Sequence, residues 1–391
     1  MQHKSQPQKQ TQNTSTNKAS KDSPQYTFIA TQPALEKAVS LWKKEDVLAI
    51  DLEMENNLHH YGAYIALVQI STREQNWVID ALAFQDLSLI WNIFEDPSIE
   101  KIFHDVSFDF RILNTQFGCK PKNIFDSEAA AVLLGKESVG LQTLLKVYFD
   151  VQKESKFQMA DWARRPIKLD MLDYASKDTI YLIPLRDELI SELKHANRFD
   201  WAKENFKSIE EQNFELKHPG FLDLRGLRDF PSENLGVLKE LFDLREKLAK
   251  QLNRPVHFIL NNKSLIQTAL NPPRSSKEFT QIRGVHPVVR TQSHNFFKAV
   301  QSGKSLVVKL EKHPVKRFTQ EQKDNVILLK DVRDYLEKTH SLSAHNFLTK
   351  DHMTTIIADK SFACLLSWQK IEVLAAIKEL GLSETFFIFK K

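Results

Sequence analysis

Residues 48–54 read LAIDLEM, and two carboxylates, Asp51 and Glu53, sit inside an otherwise apolar run. In a strand the side chains alternate, so Val47, Ala49, Asp51 and Glu53 share one face. Leu48, Ile50, Leu52 and Met54 share the other, which is expected to be the core face. Two carboxylates held that close repel by about 4 kcal/mol at an effective dielectric near ~20, so a cation, a shared proton or solvent must compensate. Further along, KIFHDVSFDF (101–110) sets Asp109 four residues after Asp105, where a helix would open after a strand. DYASKD (173–178) then puts Tyr174 and Asp178 at i and i+4, on one face of a long helix. Four carboxylates and a phenol can therefore converge at the edge of a sheet. An all-oxygen donor set selects Mg2+ or Mn2+ rather than zinc. Two such ions about 4 Å apart suit in-line displacement at phosphorus, one activating the attacking water and the other stabilising the leaving oxygen.

Each motif taken singly is cheap. An Asp-x-Glu pair is common, a Tyr/Asp pair on a helix is often solvated or capping, and Asp105 with Asp109 could be an ordinary acidic helix start favoured by the dipole. A phenol on a core-facing helix often only packs. The specificity lies in the order: strand acids first, a post-strand helix acid next, and a Tyr/Asp pair on a late helix.

The elements that must position these groups are legible in outline. Strands are expected at 47–54, 63–71, 76–80 and 101–104, and helices at 107–117 (stopped by Gly118), 126–134, 140–148 and a long one over 169–196. Strands followed by a strand alternating with helices predict a mixed α/β sheet covered by helices. After about 230 the strand signal disappears. Helical patterns run over 233–252, with a break at Arg254-Pro255, and over 325–338, 351–358 and 368–379. Sliding the chain by 88 residues sets Leu248 on Leu336, Ile259 on Phe347, Leu260 on Leu348 and Leu265 on Met353, a weak internal repeat that suggests two all-helical modules in tandem.

The span 25–200 resembles the DEDD superfamily of 3'-5' exonucleases in its tyrosine-bearing branch, specifically ribonuclease D. The resemblance rests on AIDLE, FHDVSFD and YASKD, with IFDSEAAAVLLG, GLQTLLKVYF and DWARRP in agreement. It implies a ribonuclease H-like mixed sheet flanked by helices, with Asp51, Glu53, Asp109 and Asp178 as ligands of two divalent ions and Tyr174 orienting the attacking water. Where the family often has Asn or Gly, this chain has Asp105, for which a supporting hydrogen bond rather than a metal contact is expected. The stretch from Leu244 to Pro273 resembles the HRDC domain over about 233–303, and 318–391 looks like a second, more diverged copy. The resulting division is a polar tail at 1–24, an exonuclease domain at 25–205, an HRDC domain at 226–306 and a second HRDC-like module at 318–391. By resemblance the helical modules hold RNA near the cleft; the plainer reading is that they only pack against the catalytic domain.

Composition bounds the remaining possibilities. The chain has 391 residues, 42% hydrophobic and 27% charged, with a net charge of +4. Four lysines and one acid in the first 24 residues hold +3 of that, so the remainder is near +1 and any polyanion site must be local. The tail, rich in Gln, Ser, Thr and Lys, is expected to be disordered. Two cysteines exclude a disulfide framework or zinc ribbon and fit a reducing compartment. With no apolar leader core and no long apolar run, a cytoplasmic protein with no membrane partner is expected; a monomer is expected as well, on no feature of the sequence. Trp162, Arg164 and Arg165 in DWARRP are candidates to stack a base or reach a phosphate, or else form a surface loop around a buried Trp. His313, Lys316 and Arg317 read as solvated linker. Gly303-Lys304-Ser305 mimics the end of a P-loop, but Lys298 stands where the first glycine must be, so ATP is not an expected ligand. His59-His60 reads as loop or lining rather than a metal site.

The expected reaction is hydrolysis of the 3'-terminal phosphodiester of RNA to nucleoside 5'-monophosphates. By resemblance alone, the substrate is a tRNA precursor with an accessible 3' end. Two rivals remain: a DNA exonuclease, because the metal chemistry is indifferent to the sugar and no residue is assigned to the 2'-hydroxyl, and a catalytically inactive RNA-binding protein.

Overall fold

Val47, Leu48, Ala49 and Ile50 are all buried, although successive side chains point to opposite faces of the strand. The expected single core face is therefore corrected: this strand is covered on both sides, because it runs through the middle of a sheet sandwiched by helices. The structure, a computed structural model, describes residues 25–152, 156–309 and 318–383. The polar tail at 1–24 and the His313, Lys316 and Arg317 run lie outside the described residues.

The α/β part contains β1 (Thr27–Ile29), α1 (Gln32–Trp42), β2 (Val47–Asn56), β3 (Ala63–Ser71), β4 (Asn76–Asp80), α2 (Ser88–Glu95), β5 (Glu100–Phe103), α3 (Ser107–Phe117), β6 (Ile124–Asp126), α4 (Ser127–Leu133), α5 (Leu141–Phe149), α6 (Leu169–Ile180), α7 (Leu182–His195) and α8 (Phe199–Glu211). The sheet order is β1-β4-β3-β2-β5-β6. Strands β2, β3 and β4 form an antiparallel meander, and β5 and β6 add in parallel beyond β2, as β1 does beyond β4. The expected long helix over 169–196 is two helices, α6 and α7, divided at Tyr181. Pro184 accounts for the break, since its ring nitrogen cannot donate back to the preceding turn.

Register sorts the two faces. Asp51 lies opposite Gln69, and Gln69 opposite Val78, so these three share one face. Helix α6 covers it, packing Met171, Leu172, Tyr174 and Ala175 against Ala66, Leu67 and Val78. On the other face Trp42 of α1 meets Trp77 of β4 edge-on at 5.6 Å, and Phe103 of β5 meets Phe94 of α2 and Phe110 of α3.

The rest is helical: α9 (Leu235–Leu252), α10 (Val256–Ile259), α11 (Asn262–Leu270), α12 (Ser276–Phe279), α13 (Pro287–Thr291), α14 (Ser293–Ser305), α15 (Gln320–His340), α16 (Lys350–Asp359) and α17 (Ser367–Glu379). Every residue of the four 88-offset pairs is buried. The same offset relates the left-handed residues that end α9 and α15, Asn253 and Ser341, and the side-chain caps that begin α11 and α16, Asn261 and Thr349. Gly303-Lys304-Ser305 closes α14 rather than forming a loop. Gly303 faces Gly236 and Val237 of α9, where an added Cβ would lie 2.4 Å from the Val237 Cα, so the glycine serves helix crossing.

The two helical regions attach differently. Residues 224–300 close a core of their own. Residues of α15–α17 instead join the core of the α/β part. Trp368 stacks on Trp201 of α8 at 4.4 Å and donates from Nε1 to Asn205, while Glu204 accepts the backbone N–H groups of Ser367 and Trp368 at the start of α17.

Candidate active site

Strand β2 delivers the first two acids. Asp51 and Glu53 project from the face covered by α6, and Asp178 comes down from α6 itself. One oxygen of each of Asp51, Glu53 and Asp178 lies within 4.8 Å of the others. Asp178 is only 5% exposed. A β-bulge falls at this point: Glu53 pairs with Leu67 but Met54 with Ile65, leaving Ala66 as the extra residue. It bends the sheet locally and turns Ala66 and Leu67 together toward Trp162 and Tyr174.

Asp109 arrives from the first turn of α3 and is 8% exposed. Its carboxyl lies well above the usual carboxylate range, first because of burial and then because Asp51, Asp105, Glu53 and Asp126 bear negative charge around it. The turn that launches α3 is built on Asp105, a non-glycine residue in left-handed conformation (φ 58°), which Asp tolerates better than most residues. Asp126, the N-cap of α4, holds that turn: its carboxylate accepts the N–H groups of Asp105 and Val106 on one side and of Glu128 and Ala129 on the other. Asp105 accepts from the Ser107 N–H at 3.4 Å, so its described partners lie within this turn. Asp126 was missed in the sequence, although an Asp directly before a helix is a capping signal.

Tyr174 lies one turn before Asp178 on α6, 8% exposed. Burial, then Glu53 and Asp51, push its phenol up to about 12, so it keeps its proton through the neutral range. Phe157 meets its ring edge-on at 5.5 Å and Trp162 lies at 6.1 Å. This corrects the expectation of a base-stacking surface at DWARRP. Trp162 is 2% exposed and packs behind Tyr174. Arg165 is spent on Asp80, which it clasps through Nε and Nη2, and on the carbonyl oxygens of Trp162 and Ala66. Arg164 is the exposed member of the three.

Gln69, cross-strand from Asp51, is fully buried, and neither its amide nitrogen nor its oxygen has a partner. Such an amide costs on the order of 1–3 kcal/mol unless a bound group or ordered water completes it. An all-carboxylate donor set, a neighbouring carboxyl pushed upward by its neighbours and an orphaned amide alongside all fit a hard divalent cation. A second grouping, Glu55, His59 and Asp161, also comes within 4.8 Å. Hydrogen bonds occupy its carboxylates: Glu55 takes the N–H groups of Leu58 and His59, and Asp161 takes His60. His59 and His60 lie in the loop 57–62 between β2 and β3, as expected. Among the described residues no helix is long and apolar enough to cross a membrane.

Residues 26–194 match the family model described as 3'-5' exonuclease, and residues 234–300 match the HRDC domain. Ribonuclease D of Sphingobium indicum is 29% identical over 252 residues, 63% of this chain and 65% of that one, so the match spans just under two thirds of the relative. The catalytic core of RRP6 from Trypanosoma brucei is 27% identical, with a TM-score of 0.65 over 73% of this chain and 81% of that one. The crystal structure of Escherichia coli RNase D superposes with a TM-score of 0.69 over 91% of this chain and 99% of that one; at 21% identity it bears on the fold alone. The chain thus matches a 3'-5' exonuclease domain model followed by an HRDC domain model, and over 63% of its length it is similar to a ribonuclease D. The fold agrees with the expected mixed sheet followed by helical modules.

Proposed function

We propose, from the exonuclease domain at 26–194 and the HRDC domain behind it, that the protein is a ribonuclease D-type 3'-5' exoribonuclease, with Asp51, Glu53, Asp109 and Asp178 holding two divalent cations and Tyr174 orienting the attacking water. The observation that carries this reading is the convergence of Asp51, Glu53 and Asp178 within 4.8 Å, beside Asp109 and the Tyr174 phenol. A binding module would gain nothing from a cluster of carboxylates next to a polyanion. Bound Mg2+ or Mn2+ supplies a water of lowered pKa and offsets the charge that develops on the phosphate oxygens.

The chain's own residues do the rest. The β2 acids and Asp178, on separate elements, fix the cleft from two sides. Asp126 holds the turn that aims Asp109. Because Tyr174 keeps its proton, it acts by hydrogen bonding the water rather than by taking a proton from it. The water oxygen bonds to phosphorus, the bond from phosphorus to the 3'-oxygen of the preceding nucleotide breaks, and that oxygen leaves as a hydroxyl. The products are a nucleoside 5'-monophosphate and an RNA one residue shorter.

RNA is favoured over DNA by the relatives, ribonuclease D among them. The finer reading is a tRNA precursor bound by a monomer in the cytoplasm, with Arg164 reaching a phosphate. Residues 25–205, 226–306 and 318–391 are proposed as the exonuclease domain and two HRDC modules. The repeat of buried positions and caps at an 88-residue offset supports the second copy.

The test is a 5'-labelled RNA and its DNA twin, each with a single-stranded 3' end, incubated with Mg2+, with EDTA and with Asp51→Asn. A metal-dependent ladder shortening from the 3' end of the RNA, absent from the variant, is expected. Shortening of the DNA alone would reassign the sugar, and binding without shortening would make the protein an inactive RNA-binding module.

A further inference from the structure

The loop between β2 and β3, residues 57–62, leaves the exonuclease sheet and docks on the HRDC domain. Tyr61 packs against the HRDC core and donates from its hydroxyl to Glu246 of α9 at 3.3 Å. Its backbone N–H donates to Oδ1 of Asn253, the left-handed residue that ends α9, at 3.2 Å. That contact fixes which way the Asn253 amide faces, so Nδ2 is the group turned to His60, 3.2 Å from Nδ1. An NH2 group only donates, hence Nδ1 of His60 accepts and its proton sits on Nε2. Nε2 in turn lies 3.0 and 3.1 Å from the two carboxylate oxygens of Asp161. Asp161 also accepts the Ala163 N–H at 3.2 Å, and between them Trp162 packs behind Tyr174.

We infer that His60 is a positioning residue: its neutral imidazole, held between Asn253 of the HRDC domain and Asp161, ties the seating of that domain to the loop that backs Tyr174. The inference rests on the exonuclease reading and adds to it. The HRDC domain then does more than offer a surface for RNA, because its docking helps set the orientation of the residue that places the water. A domain that only captured RNA would act on KM. A domain that seats the 157–166 loop acts on kcat, since a small misplacement of a water-orienting group costs rate without weakening binding.

The experiment uses the full chain, a short single-stranded RNA and the variants Asn253→Ala, His60→Ala and His60→Gln. Asn253→Ala and His60→Ala are each expected to lower kcat about tenfold with KM unchanged. The double variant is expected to be no slower than either single one, because both interrupt one path. The Gln side chain can also donate to Asp161 and accept from Asn253, so His60→Gln should retain most of the rate. Hydrogen exchange gives a readout independent of activity: amides of 157–163 should exchange faster in Asn253→Ala, although Asn253 bonds to none of them. A loss confined to KM, additive losses in the double variant, a His60→Gln as slow as His60→Ala, or unchanged exchange would each overturn the inference. A wild-type protein that leaves RNA intact overturns the exonuclease reading instead, and the exchange measurement then decides the link by itself.

Discussion

Replacing Asp178 by Asn should make the protein more stable without divalent cations and less stable than the wild type with them. Asp51, Glu53 and Asp178 offer oxygens within 4.8 Å of one another. At that separation and an effective dielectric of ~20, each pair of charges repels by about 3.5 kcal/mol, so neutralising residue 178 removes on the order of 7 kcal/mol of gross repulsion. The wild type cannot carry all of that, because a carboxyl can take up a proton instead, at a cost of about 4 kcal/mol at pH 7 from an ordinary pKa near ~3.9. Desolvating the new amide takes back about 1–3 kcal/mol. The net expectation in EDTA at neutral pH is a gain of about 2 kcal/mol, roughly 4–8 °C in unfolding midpoint for a domain of this size.

The pH dependence has a definite sign. The Asp109 carboxyl is raised in the folded protein, so its contribution to metal-free stability is present below about pH 4, its unfolded pKa, and is lost as pH rises through the folded value. Metal-free wild type should therefore weaken from acid toward neutral pH. With Mg2+ at a hundred times its dissociation constant the wild type regains about 2.7 kcal/mol, the variant little, and the order of midpoints inverts. Differential scanning calorimetry in EDTA and in Mg2+ reads both. A variant no more stable than wild type in EDTA, or one that gains as much from Mg2+, would refute the reasoning.

Three further outcomes are expected. Tyr174→Phe should lower kcat about 10- to 100-fold with RNA affinity unchanged, as single-turnover kinetics and equilibrium binding would reveal; a pure binding defect would contradict the water-orienting role. Gly303→Ala forces a Cβ to 2.4 Å from the Val237 Cα and should cost about 1–3 kcal/mol or more in the HRDC domain, read by chemical denaturation. Trp368→Ala removes the stack on Trp201 and the bond to Asn205. It should destabilise the exonuclease core by about 3–5 kcal/mol, measured as a lower denaturation midpoint for that domain.

The site was more legible than the frame around it. Asp51, Glu53, Asp109, Tyr174 and Asp178 could be read because each stands at a fixed place in an element whose periodicity shows locally: a strand, a helix start and one face of a helix. Strands β1 and β6, of three residues each, escaped because so short a run carries no period and exists only through its neighbours in the sheet. The division of α6 from α7 was available in Pro184 but was masked by an unbroken apolar pattern across Leu182 and Ile183. Trp162 and Arg165 looked like nucleic-acid contacts because sequence cannot tell an exposed aromatic and cation from a buried pair; only the approach of Asp80, across the fold, internalises Arg165. The partners of His60 lie 101 and 193 residues away, a relation no local pattern encodes. The 88-residue offset, by contrast, was visible in four apolar pairs and extends to the helix caps.

The measurement that bears most directly on the central claim is anomalous diffraction from crystals of the wild-type protein soaked in Mn2+, with Asp178→Asn crystals treated alike. Two peaks about 4 Å apart are expected, enclosed by Asp51, Glu53, Asp109 and Asp178 in the wild type and diminished in the variant. No peak among these four carboxylates, or Mn2+ bound at Glu55, His59 and Asp161 instead, would contradict it.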